Sequence, residues 1–191
     1  MKNIERLVVA LEAGNKEIEV GELVYSNRKI YFKYYPQFID TGIQISPFKL
    51  PLSSEILIPD TMIFEGLFGV FNDSLPDGWG RLLLDRTLLK KGIPLNQINP
   101  LARLAFVGRN GMGALTYKPP ADRDDELTKL LGPDAIATET KKVLEGNSTD
   151  IIDTLFTLES SSGGARPANF VGYDSSNDHL INYTDKIPKR I

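Results

Sequence analysis

The chain has 191 residues, 41% hydrophobic and 25% charged, with a net charge of −3. This is ordinary for one medium or two small globular domains, and it excludes the broad basic footprint of a general nucleic-acid binder. With no cysteine and a single histidine, His179, disulfides, thiolate catalysis and zinc–thiolate sites are ruled out, and a Ser-His-Asp triad has only one possible base.

No apolar run is long enough for a membrane span. MKNIERLVVALEAG is too short and too interrupted for a signal peptide, so the expected location is the cytoplasm. The basic pairs Lys90-Lys91, Lys141-Lys142 and Lys189-Arg190 read as solvated positions.

The first third reads as β. RLVVALEAG is an apolar run closed by the turn signal Gly14-Asn15. EIEVGELVYS alternates in part through Ile18, Val20, Leu23 and Tyr25. Asn27-Arg28 is placed as a tight turn into KIYFKYYPQFI, rich in aromatic and β-branched residues. These segments suit an antiparallel meander. GIQISPFKLPLSS is broken by prolines and reads as an edge strand or a loop.

The middle reads as helical. In GLFGVFNDSLPDGWGRLLLDRTLLKKGI, Pro76 and Gly78 precede Trp79, leucines recur at near-helical spacing, and Gly92 is the stop. NPLARLAFVG is a second, short helix, and GMGALTYKPP returns to a strand ended by prolines. The composition then shifts. ADRDDELTKLLGPDAIATETKKVLEGNSTD is charged and helix-prone without aromatics, as in a surface helix or a connector. TDIIDTLFTLES reads as a helix capped by Ser148, Thr149 or Asp150. NFVGYD and HLINYT read as a hairpin joined by SSND. The fold class expected is α+β: a mixed β-sheet with helices over residues 1–120, and a second unit over 121–191.

LESSSGGARPANFVGYD holds the clearest candidate site. Glycines let backbone N–H groups converge on phosphate oxygens, serine hydroxyls add donors, and Arg166 supplies charge. The P-loop and dinucleotide patterns are absent, and a serine–glycine cluster is equally the composition of a plain turn. Asp73, Asp77 and Arg81 near Trp79 read as a turn and helix N-terminus, with Asp73 or Ser74 as cap, rather than as an acid–base pair. VGRNGMGAL reads as a tight turn into a strand rather than an anion site, and His179 as an exposed strand residue.

FNDSLPDGWGRLLLDR, then LARLAFVGRNGMGALTYKP, then SSSGGARP occur in this order over nearly the whole chain. Together they resemble the HipA family, the serine/threonine-protein kinase toxins of type II toxin–antitoxin modules. The resemblance implies that residues 121–191 begin a kinase-like N-lobe made of a helix, a Ser/Gly loop and a β-hairpin. It implies a phosphate or ATP loop at Ser160, Ser161, Ser162, Gly163, Gly164, Ala165 and Arg166, with Ser161 as the autophosphorylated serine. A second serine found in related sequences is replaced by Glu159, and a lysine usual after the Gly-Ala pair is replaced by Ala168.

The nucleotide lysine, the catalytic aspartate and the metal-binding aspartate would lie past Ile191, so no catalytic residue and no metal ligand is expected in this chain. ATP and Mg²⁺ belong to the full-length family, with no tight binding expected of this chain alone. The partners implied are a cognate HipB-like antitoxin or a separate HipA-like kinase chain, with DNA reached indirectly through the antitoxin and no membrane. Two functions follow: the front part of a kinase toxin, or a non-catalytic, antitoxin-like module that pairs with a separate HipA-like kinase and inhibits it.

Overall fold

The computed structural model describes residues 4–14, 16–60, 62–109, 111–118, 133–145, 171–174 and 179–182. The chain divides into two compact units, residues 1–75 with 96–123, and residues 76–95 with 124–191.

The first unit is built on the expected meander. Strands β1 (Arg6–Ala13), β2 (Lys16–Ser26) and β3 (Lys29–Tyr34) pair antiparallel in sequence order. Strand β4 (Leu115–Lys118) returns antiparallel to β1, giving the order β3-β2-β1-β4. Alternation explains the faces: Ile30, Phe32 and Tyr34 of β3 are buried, while Lys29 and Lys33 are exposed. In β1 the register against β2 shifts between Val9 and Ala10, and both residues are buried. Asn27 and Arg28 both take positive φ, 49° and 60°, which is the two-residue hairpin turn that matches strand twist.

The expected continuation of β3 through Pro36 does not occur. Proline has no N–H for a ladder, and its fixed φ suits a first helical turn. A short helix, α1 (Pro36–Ile39), starts there instead, and Phe38 stacks on Tyr34 at 5.8 Å. GIQISPFKLPLSS forms no strand and is a loop, closed by one bridge between Ser46 and Leu50. A second short helix, α2 (Gly69–Asn72), buries Phe71.

The chain then passes through α3 (Gly78–Lys90) of the second unit and returns to the first as α4 (Pro100–Val107). All 8 residues of α4 are buried, as expected of a helix that is apolar apart from one residue, Arg103. Asn99 starts it: its side-chain oxygen accepts from the Ala102 N–H at 2.8 Å, and its amide donates to the Ile4 carbonyl at 2.8 Å. The cap thus also ties the helix start to the approach to β1.

Phe32, Tyr34, Phe38, Phe68 and Phe71 form an aromatic cluster beneath β3, with Phe32 at 4.8 Å from Tyr34 and 5.0 Å from Phe71. Gly21 of β2 makes room for it. A β-carbon at Gly21 would stand 2.3 Å from the Lys33 carbonyl and 2.8 Å from the Phe32 ring.

In the second unit, α3 buries Trp79, Leu83, Leu84 and Leu88. Asp77 occupies its N-cap position, later than the expected Asp73 or Ser74, and makes no side-chain capping bond. Pro76 is the reason, because it disfavours helical backbone at Leu75. Gly92 ends the helix as expected: at φ 72° its N–H donates to Leu89, and the Ile93 N–H donates to Leu88. Helix α5 (Pro133–Leu144) lies in the charged stretch, and β5 (Val171–Asp174) pairs antiparallel with β6 (His179–Asn182) as the expected hairpin. The helix expected over TDIIDTLFTLES lies outside the described residues.

Gly21→Ala forces backbone, not a flexible side chain, to move. It should lower the urea unfolding free energy by about 1–3 kcal/mol, the usual range for overpacking, and an unchanged midpoint would contradict the packing described.

Candidate protein-interaction surface

Residues 43–75 of the first unit carry little regular structure, yet four fastenings hold them to the scaffold. The first is the Tyr34 hydroxyl, which donates to the Leu50 carbonyl at 2.7 Å in a buried setting. Burial pushes its pKa up to about 12. The second is a backbone bridge: Phe32 and Leu57 exchange N–H to carbonyl bonds of 2.9 and 2.8 Å.

The third is an ion pair at a tight reversal. Glu65 has φ 54° and Gly66 φ 82°, and the Leu67 N–H donates to Phe64 at 3.0 Å. Glu65 is a non-glycine residue in the left-handed region, so the turn is strained. Arg103 of α4, itself buried, donates to the Glu65 carboxylate at 2.5 Å and holds that turn in place. The fourth is Tyr117 of β4, whose hydroxyl donates to Ser74 at 2.7 Å. Burial raises the Tyr117 pKa, and the Ser74 bond partly opposes the shift.

The segment held this way displays apolar side chains. Phe48 is 94% exposed, Ile63 76%, Met62 66% and Ile56 59%. Seven of the ten exposed large hydrophobic side chains among the described residues lie within 43–64, so the exposure is concentrated in one segment of the chain, and Ile63 and Phe64 line the same cleft. Beside them is an open cleft of about 500 Å³, lined by Ile45, Ile63, Phe64, Leu67 and Phe68 and edged by Lys49, Asp60 and Asp73. Lys49 and Asp60 pair at 3.9 Å.

The other candidate residues are placed differently. Arg109 donates to Glu12 at 2.8 Å and to Glu17 at 3.0 Å, and Lys118 also pairs with Glu17. These contacts clamp the loop after α4 to the β1–β2 hairpin, in line with the turn reading of VGRNGMGAL. His179 stands on β6. Ser160, Ser161, Ser162, Gly163, Gly164, Ala165 and Arg166 lie outside the described residues, as do Glu159 and Ala168. Among the described residues no group of three His, Cys, Asp or Glu is placed to hold a metal, and no helix is long and apolar enough to cross a membrane.

Sequence reading missed the apolar patch. Its only trace was two short apolar runs, Ile56–Ile58 and Met62–Phe64, split by Pro59-Asp60-Thr61 and without the periodicity of a helix or strand.

A four-stranded antiparallel sheet with a few helices is an α+β fold. The model of the family described as HipA N-terminal domain matches residues 11–118, over half of the chain, from within β1 to the last residue of β4. The chain belongs to the HipA N-terminal domain family. No curated protein and no solved structure matches it.

Two outcomes test the fastenings. Removing the Tyr34 hydroxyl (Tyr34→Phe) strands a buried carbonyl and should cost about 1–3 kcal/mol in urea unfolding at neutral pH. The folded pKa of Tyr34 lies above its ordinary 10, so this group's stabilisation is complete below pH 10 and is lost as pH rises through about 12. The alkaline loss should therefore be smaller in Tyr34→Phe than in the wild type. Glu65→Ala leaves Arg103 buried without this carboxylate. It should cost about 1–2 kcal/mol, less than a fully buried pair because Glu65 is half-exposed.

Proposed function

We propose that this chain is the N-terminal part of a HipA-like serine/threonine-protein kinase toxin of a toxin–antitoxin module. The family match over residues 11–118 is the observation that carries the reading. In it, residues 1–120 are the N-terminal subdomain, and residues 121–191 open the kinase core with the Ser160–Arg166 loop. That loop covers nucleotide phosphate, and phosphate on Ser161 silences the kinase by adding charge and expelling the loop. ATP and Mg²⁺ serve the complete kinase. Phosphoryl transfer requires a base, metal ligands and a nucleotide lysine, which this reading assigns to residues beyond Ile191. The partner is a HipB-like antitoxin in the cytoplasm, through which the complex reaches DNA.

A second reading is favoured by the exposed face at residues 43–64: a non-catalytic module that pairs with and inhibits a separate HipA-like kinase chain. Apolar patches of this kind mark partner surfaces whether or not the chain continues into a catalytic lobe.

The intact mass of the gene product, immunoprecipitated from its own host, separates the two. The kinase reading expects a product more than about twice this length, since a whole further lobe must be added, with phosphate on Ser161 that Ser161→Ala abolishes. A product of 191 residues without that phosphate would leave the module reading in its place.

A further inference from the structure

We infer that the cleft edged by Asp73 docks an apolar segment of a partner protein that carries lysine or arginine beside its apolar side chains. The inference concerns the apolar face and stands whether the chain is part of a kinase or a separate module.

The shape and the apolar lining set the first half of the requirement. Ile63 and Phe64 stand exposed at an open cleft backed by Leu67 and Phe68. The fastenings through Tyr34, Phe32, Arg103 and Tyr117 hold both sides of this surface in place before a partner arrives. A preformed surface of this kind loses little conformational freedom on binding.

Charge sets the second half. Residues 40–73 hold five acids and one lysine, more negative charge than the whole chain's net −3. Two of the acids are answered within the unit, Asp60 by Lys49 and Glu65 by Arg103. Asp73 is exposed at the cleft edge, and its carboxylate has no ion pair or hydrogen bond among the described residues.

A neutral apolar occupant would desolvate Asp73 without a partner, which is costly. An acidic occupant would meet like charge. A second copy of this chain joined about a two-fold axis through this face would set one net-negative segment, residues 40–73, against another. An apolar segment with a flanking cation satisfies both the lining and Asp73, in the manner of an amphipathic helix laid in a groove.

The test uses the full 191-residue chain and two fluorescent synthetic peptides. Both carry leucines at i, i+3, i+4 and i+7; one is flanked by lysines and the other by glutamates. Fluorescence anisotropy should show the lysine peptide binding about tenfold or more tightly, with a preference that shrinks as salt rises. Asp73→Asn should narrow the gap by about threefold or more, and Ile63→Ser should weaken both peptides. Both positions are exposed, so the variants should keep the wild-type circular dichroism spectrum and urea midpoint. Equal affinity for the two peptides would overturn the inference, as would a gap that Asp73→Asn leaves unchanged. So would a dimer by sedimentation that Ile63→Ser dissociates, since a second copy would then own the face.

Discussion

Phe32 against Gly21 is the contact on which the first unit depends. The Phe32 ring lies where a side chain on β2 would otherwise project, and it reaches Tyr34 and Phe71 within about 5 Å. The same residue's backbone holds Leu57. One position therefore sets the spacing of β2 and β3, seats the aromatic cluster and anchors the irregular segment. Dispersion and burial in such a cluster exceed what its short helices contribute, because helices of one turn are not stable by themselves.

The fastenings of residues 43–75 differ in kind but act alike. Tyrosine hydroxyls reach a carbonyl and a serine, a strand edge captures one backbone pair, and a buried arginine holds a strained turn. Each satisfies polar groups that burial would otherwise leave unpaired. The result is a surface that is irregular in backbone yet set in position. That combination lets large apolar side chains face solvent without collapsing onto the core, and it is how a rigid scaffold carries recognition on its loops. Strain at Glu65 and the Glu65–Arg103 pair therefore belong to the same feature as the exposed Ile63 and Phe64.

The family match spans all four strands of the sheet apart from the first residues of β1, together with everything between β1 and β4. It also covers residues 76–95, which group with the second compact unit rather than with the sheet. A single stretch of sequence thus contributes to both units, and no one cut in the chain separates them. The Ser/Gly loop lies beyond the match, so the kinase and the module readings rest on different parts of the chain.

Local chemistry made much of the fold legible in the sequence. Alternation along KIYFKY, the Asn27-Arg28 turn, the Asn99–Pro100 helix start and the Gly92 stop are short-range effects, and each formed where expected. The errors also had local causes: Pro36 began a helix instead of continuing β3, and Pro76 moved the helix start to Asp77. The HipA-like motifs were readable for the same reason, since they are contiguous runs of residues. The candidate surface was not readable, because its fastenings join residues such as Glu65 and Arg103, or Ser74 and Tyr117, that are far apart in sequence. Sequence by itself determined the four strands of the sheet, the existence of α3 and α4, the Asn27-Arg28 turn and the family, which depend on neighbours along the chain. Only the tertiary structure decided that Ile56, Ile58, Met62, Ile63 and Phe64 face solvent rather than the core, because burial is set by which distant residues fill the space beneath them.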